Sequence, residues 1–269
     1  MSKEKNTLCF ILADHATGLD KTELEYILSE LERENLSAKI SCYSFIRHEG
    51  SVVSFELNRD LSALEHEGSL HFGDEGVTID RKRILELAYA LTYEQQKDIR
   101  SAVQKILAKG RSSKTTAASS PKRPSANTLF TAGYEGENID SLLMKLKRNN
   151  ITKLVDVRCN PISRKYGFSK KILSDLTARI GIAYEHFPAL GIPSESRKDL
   201  KSQDDYEALF SDYRENILDK NGAAQADLIQ TVRGESAVLV CFEASYKQCH
   251  RSHLANSISA KSGMKIVHI

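Results

Sequence analysis

Apolar positions recur with a helical period through the first hundred residues. Leu8, Ile11 and Leu12 form a short stripe that ends near Gly18. Asp20 then stands where a helix N-cap belongs, with Glu23 three residues on as in a capping box, and Leu24, Ile27, Leu28 and Leu31 share one face of the helix that follows. A third helix is predicted over about 53–66, carrying Leu57, Leu61 and Leu64. The run SLHFGDEGVTID makes two short alternating stretches around Gly73-Asp74-Glu75-Gly76, which predicts a β-hairpin. Two more helices, over about 81–90 and 92–108, complete a mainly helical region with one hairpin.

From 129 onward the period switches between strand and helix. Strands are predicted at 129–132, 153–157, 183–186, 237–241 and 265–268, and helices at 138–149, 169–180, 206–218, 223–232 and 249–262. Such alternation predicts an α/β fold in which a mostly parallel sheet is flanked by helices. Between the two regions lies GRSSKTTAASSPKRPSANT, residues 110–128, with Pro121 and Pro124 and no large apolar side chain. A stretch of that kind buries too little surface to offset its ordering entropy and reads as a flexible linker. The expected organisation is therefore a domain over 1–109, a linker over 110–128 and an α/β domain over 129–269.

Composition narrows the class of protein. Of 269 residues, 41% are hydrophobic and 28% charged, which is globular rather than disordered. The net charge of +2 supplies no global field toward nucleic acid, so a basic footprint has to be local. The first apolar patch is broken by Asp14 and His15, unlike a signal peptide, and no run approaches a membrane span. Five cysteines, an odd number at irregular spacing, do not form a secreted disulfide framework. The expected setting is the cytoplasm, with reduced thiols and no membrane partner.

In open α/β sheets ligands bind beyond the carboxyl ends of the strands. The residues there are Tyr134 after the first predicted strand, Asp156 and Arg158 after the second, Glu243 after the fourth, and Cys249-His250-Arg251 where the next helix begins. Arg158 and Arg164, with Ser163 between them in a Pro-containing loop, offer planar donor forks suited to phosphate. Asp156 either pairs with Arg158 or works as an acid–base group. Glu243 follows an apolar strand by two residues and suits general acid–base work. Cys249 at a helix start, beside His250 and Arg251, reads as a thiolate nucleophile or as filler in an anion cradle, with the cradle favoured. A zinc site from Cys241, Cys249 and His250 is disfavoured by the x7 spacing and the adjacency of Cys and His, so no metal ligands are assigned. No cofactor is expected, although Asp156 and Glu243 leave a hard divalent ion open. No Rossmann, P-loop or nucleophile-elbow motif occurs.

Several separated motifs together resemble the domain of unknown function 488 family: GYEG from Gly133, DVRCNPISRKYGF from Asp156, HFPALG from His186, CFEASYKQCHRSHLA from Cys241, and the closing VHI. The resemblance runs from about 129 to 269. It implies an α/β domain whose shared residues are Gly133, Tyr134, Asp156, Arg158, Pro161, Ser163, Arg164, Cys241, Glu243, Cys249, His250 and Arg251. The stretch IPSESRKDLKSQ is more individual. Less specifically, YSFIRHEGSVVSFELNRDLSALEHEGSL with its hairpin resembles winged helical domains of bacterial regulatory proteins. In that case the helix from about 53 would either read DNA or contact another protein, its charges being mixed (Glu56, Arg59, Asp60, Glu65), while Lys122 and Arg123 of the linker suit phosphates or simply keep the linker soluble.

Three functions follow as expectations. The first is an enzyme on nucleic acid (DNA rather than RNA) or a nucleotide, with Asp156, Glu243, Cys249 and Tyr134 in chemical roles, Tyr134 stacking on or bonding a base. Arg158, Ser163, Arg164, His250 and Arg251 would hold the anion. The second is a non-catalytic DNA-binding regulator that senses an anionic small molecule and forms a homodimer to read a palindromic site. The third is a thiol-based redox protein centred on Cys249.

Overall fold

The computed structural model describes residues 3–15, 19–33, 42–48, 51–73, 76–88, 90–109, 127–197, 200 and 202–269. It divides into two compact units, Met1–Ala118 and Ser119–Ile269. The predicted linker lies outside the described residues, Lys122 and Arg123 included, except for its last two positions. There Asn127 donates to the Gly263 carbonyl (3.1 Å) and Thr128 already belongs to the first strand of the second unit.

The first unit begins with α1 (Lys3–His15), which is buried continuously from Asn6 to Ala13 rather than along one stripe. Helix α2 (Lys21–Arg33) starts with the predicted reciprocal cap. The Glu23 amide donates to Asp20 Oδ1 (2.7 Å), the Asp20 amide to Glu23 Oε2 (3.2 Å), and Leu24, Ile27, Leu28 and Leu31 are buried.

A hairpin that the periodicity did not signal comes next. Strands β1 (Ile46–His48) and β2 (Ser51–Val53) pair antiparallel, with Ile46 opposite Val53. Val53 is thereby a strand residue, and α3 (Phe55–His66) starts two positions later under Ser54, whose Oγ accepts from the Leu57 amide (3.2 Å). The predicted hairpin forms from β3 (Leu70–Gly73) and β4 (Gly76–Ile79), with Leu70 opposite Ile79. Helices α4 (Arg81–Ala88) and α5 (Tyr93–Lys109) follow, the second capped reciprocally by Thr92 and Gln95.

The second unit is a five-stranded sheet in the order β7-β6-β8-β5-β9, with every pairing parallel. Its strands are β5 (Thr128–Gly133), β6 (Lys153–Asp156), β7 (Ala183–His186), β8 (Ala237–Cys241) and β9 (Lys265–His268). The flanking helices are α6 (Ile139–Arg148), α7 (Lys170–Arg179), α8 (Gln203–Asp212), α9 (Gly222–Val232) and α10 (His250–Ser262). All five residues of β8 are buried, as a central parallel strand covered on both faces requires.

The chain runs from β5 outward to β6 and β7, then returns to insert β8 between β6 and β5. That reversal opens a crevice at the carboxyl ends of the three middle strands. The helix expected over 206–218 is two pieces, because α8 gives way at Tyr213 to a π-helical segment, Tyr213–Leu218. The wider turn carries buried Tyr213 toward the crevice, where its hydroxyl donates to the Leu190 carbonyl (2.7 Å) and its ring meets His250 edge-on at 5.3 Å. Among the described residues, no helix is long and apolar enough to cross a membrane.

Candidate functional site

Two side-chain groups form at the carboxyl ends of the strands. The first is built on β6. Asp156 is fully buried and accepts from the Arg158 amide (3.1 Å), Arg158 Nε (2.8 Å) and Nη2 (2.5 Å), and the Tyr184 hydroxyl (2.7 Å). The remaining arm of the Arg158 guanidinium reaches the Tyr134 hydroxyl at 2.6 Å.

Burial works against the charge on Arg158, but the Asp156 carboxylate outweighs it and holds the guanidinium above its ordinary pKa. Burial pushes the Tyr134 and Tyr184 hydroxyls upward, so both remain protonated, Tyr134 accepting from Arg158 and Tyr184 donating to Asp156. Tyr134 is itself enclosed, stacked on Phe168 at 4.1 Å and edge-on to Phe242 at 5.4 Å. Four donors converge on Asp156, so in this geometry it anchors Arg158 and Tyr184. Of the two readings of Asp156, pairing with Arg158 is the one seen. Tyr134 stacks on the protein's own rings rather than presenting a free face to a base.

The second group lies where β8 meets α10. Cys241, Glu243, Cys249 and His250 bring one ligand-type atom each within 4.8 Å of one another. Both thiols donate to Glu243 Oε2, Cys249 at 2.9 Å and Cys241 at 3.1 Å. His250 Nδ1 lies 3.7 Å from the Cys241 sulfur and 4.0 Å from that of Cys249. Sequence spacing argued against this convergence, and the backbone supplies the reason for it. Cys249 is extended (φ −136°, ψ 135°) while His250 opens a helix, and the change of direction turns neighbouring side chains to one point.

The state of His250 follows from its partners. Nε2 is 3.0 Å from the Val157 carbonyl, which can only accept, so Nε2 carries a proton. Nδ1 meets Arg197 Nη2, which can only donate, so Nδ1 is the unprotonated nitrogen and its lone pair accepts from Arg197, with the thiols close by. Arg197 also forms an ion pair with Glu243. Arg197 and Glu243 are the partly exposed members of the group, at 25% and 18% of their side-chain surface, whereas Cys241, Cys249 and His250 are buried.

The thiols differ from the expectation for a helix start. Burial pushes Cys249 up to about 12, reinforced by Cys241, and this overrides the helix dipole. Burial acts on Cys241 in the same sense, but the hydrogen bond from Cys249, the charge of Arg197 and the Phe242 amide prevail and lower it.

The remaining predicted residues separate into bracing and exposed ones. Arg251 is buried and donates to the backbone carbonyls of Glu243 and Ala244, clamping the loop after β8 rather than facing an anion. From the other side, the Tyr134 and Glu135 amides donate to the Phe242 carbonyl (3.1 and 2.8 Å). Gly133 is required there, because a Cβ would overlap the Glu243 carbonyl. Ser163 braces its own loop through Ser169 and the Lys165 amide. Arg164 is exposed, as are Lys165, Lys170 and Lys171, and no acidic residue occurs between Arg158 and Lys171.

In the first unit, Arg59 donates to Asp60 (2.7 and 3.0 Å) and pairs with Glu56, while Asp60 accepts from the Tyr43 hydroxyl (2.7 Å). The Arg59 guanidinium thus lies within an intramolecular network.

Arg197 and Tyr184 are the site residues that sequence reasoning missed. Arg197 sits in the individual stretch after β7, and nothing local marks it. Tyr184 alternates along β7 with polar neighbours and acquires its role only when β7 pairs with β6, Leu154 opposite Tyr184.

Residues 138–258 match the family model described as domain of unknown function DUF488, a span that contains both groups except Tyr134. Neither the comparison with curated proteins nor that with solved structures gives a match.

Proposed function

We propose that the second unit is an enzyme acting on nucleic acid or a nucleotide, with the chemistry at the Cys241–Glu243–Cys249–His250 group. The carrying observation is the junction at Val157. Its carbonyl orients His250, and the chain leaves it directly into a loop and then the first turn of α7, whose exposed charges, Arg164, Lys165, Lys170 and Lys171, are all positive. Phosphate held on that loop would place the adjoining part of a substrate near Glu243, the partly exposed carboxylate of the group.

This reading moves the phosphate-holding role from Arg158, whose side-chain donors are engaged by Asp156 and Tyr134, and from Arg251, whose two terminal nitrogens clamp the loop after β8, to Arg164 and its basic neighbours. The first unit, with helices followed by a hairpin in winged-helix order, serves in this proposal as the module that docks on the duplex.

Labelled single- and double-stranded DNA titrated with the full-length protein across a salt series, with products resolved on a denaturing gel, tests the proposal. Salt-dependent binding with strand breaks or alkali-labile sites is expected, and Glu243→Gln should retain binding while losing product. Arg164→Ala should weaken binding to all sequences and make the log–log salt slope shallower by about 1. Binding without product in any strand form would favour the regulator reading instead, and no binding at low salt would remove nucleic acid altogether.

A further inference from the structure

We infer that Cys241, Cys249 and His250 form a zinc-binding site, with Glu243 beside its fourth, solvent-side position and Arg197 as the cation that a metal ion displaces. The inference stands apart from the nucleic-acid proposal, since binding of a metal ion needs no substrate.

The first argument is metric. A tetrahedral zinc with Zn–S of about 2.3 Å and Zn–N of about 2.0 Å has ligand–ligand edges of about 3.5–3.8 Å. The observed separations of His250 Nδ1 from the Cys241 and Cys249 sulfurs are 3.7 and 4.0 Å. Glu243 Oε2 lies 3.1 and 2.9 Å from the same sulfurs, on the least buried of the four residues.

The second argument is orientation. A metal-binding histidine almost always donates its other ring nitrogen to a carbonyl or carboxylate, which fixes ring and tautomer. His250 does this through Nε2 to Val157, which leaves Nδ1 as the unprotonated nitrogen beside the two sulfurs, its lone pair taken up by Arg197 until a metal ion displaces that cation. Tyr213, packed edge-on at 5.3 Å, holds the ring in that pose.

The third argument is charge. Two thiols, a carboxylate and an imidazole lone pair converge at a mostly buried point, and the guanidinium of Arg197 bonds both Glu243 and His250 Nδ1. A cation is therefore already called for at this point. Sulfur and imidazole donors favour zinc over magnesium or calcium. The paired Asp156, by contrast, is fully occupied by Arg158 and Tyr184 and is remote from this role.

The test uses reduced, metal-stripped full-length protein titrated with Zn(II) against a chromophoric competitor, and separately with Co(II). One equivalent of zinc per chain is expected. Co(II) should show tetrahedral ligand-field bands together with thiolate-to-metal charge transfer. Glu243→Gln should keep the stoichiometry, whereas Cys241→Ser, Cys249→Ser and His250→Ala should each lose tight binding. Those three positions are buried, and substitution there endangers folding, so Arg197→Gln supplies the independent arm. Removal of the competing cation lifts a like-charge repulsion at the site and should tighten zinc binding by about tenfold. Absence of stoichiometric zinc from folded, reduced wild-type protein would overturn the inference. So would a Co(II) spectrum without thiolate charge transfer, or weaker zinc binding by Arg197→Gln.

Discussion

Gly133 and Asp156 illustrate how much single positions carry beside the site. Gly133 is where β5 turns under the loop after β8, and a methyl group there would meet backbone, which cannot swing aside. Gly133→Ala should destabilise the second unit by about 1–3 kcal/mol, read as a lower urea midpoint at unchanged m-value. Asp156→Asn retains shape but leaves the buried Arg158 charge without its partner, and a loss of about 3–5 kcal/mol is expected in the same measurement. Thiol chemistry offers a separate check. Burial holds Cys9 and Cys42 up to about 12, so at pH 8 the thiolate fraction of each is about 10⁻⁴. Alkylation mapped by mass spectrometry should leave both unmodified in the native protein and label both in urea. Labelling of either under native conditions would show that the first unit's core is not closed around them.

Elements differ in how plainly their residues announce them. Helix α2 combines a reciprocal cap with a clean apolar face, and the two signals agree, so its start is where the sequence puts it. Asp20→Ala removes the acceptor for the Glu23 amide and should lower stability by about 1 kcal/mol, read by thermal or urea unfolding. The β1–β2 hairpin is harder to see, because each strand has three residues and His48 and Ser51 interrupt any alternation. Its pairing nonetheless sets the start of α3, since Val53 is held opposite Ile46 and Ser54 becomes the cap. The π-helical segment after α8 is likewise invisible in a period count, because one wide turn barely changes the spacing of Tyr206, Phe210 and Tyr213. Its consequence is felt at the site, where Tyr213 meets His250.

Across the whole molecule, a net charge of +2 spread over 38 basic and 36 acidic residues gives no long-range pull toward a polyanion. In the reading proposed above, the second unit's share of the attraction comes from the acid-free stretch from Arg158 to Lys171, the loop after β6 and the first turn of α7. Reversing two of its charges with Arg164→Glu and Lys171→Glu should weaken the DNA binding proposed above and make its salt dependence shallower, with the circular dichroism spectrum unchanged because both side chains are exposed. If binding and its salt dependence persist, the contact lies elsewhere, and the first unit becomes the place to look.

Periodicity, caps and glycine placement suffice for the α/β class, the parallel sheet and most helix limits, because these depend on neighbours within a few residues. They also place Asp156, Arg158, Glu243, Cys249 and His250 at the strand ends, since the carboxyl edge is a property of strand direction. Which of those residues meet is a different matter. Insertion of β8 between β6 and β5 brings Val157 to His250, the pairing of β7 with β6 brings Tyr184 to Asp156, and a loop with no motif brings Arg197 to Glu243. The adjacent Cys249 and His250 side chains meet only because the backbone turns from extended to helical between them. Contacts between positions far apart along the chain depend on strand order and loop path, which residue spacing does not encode.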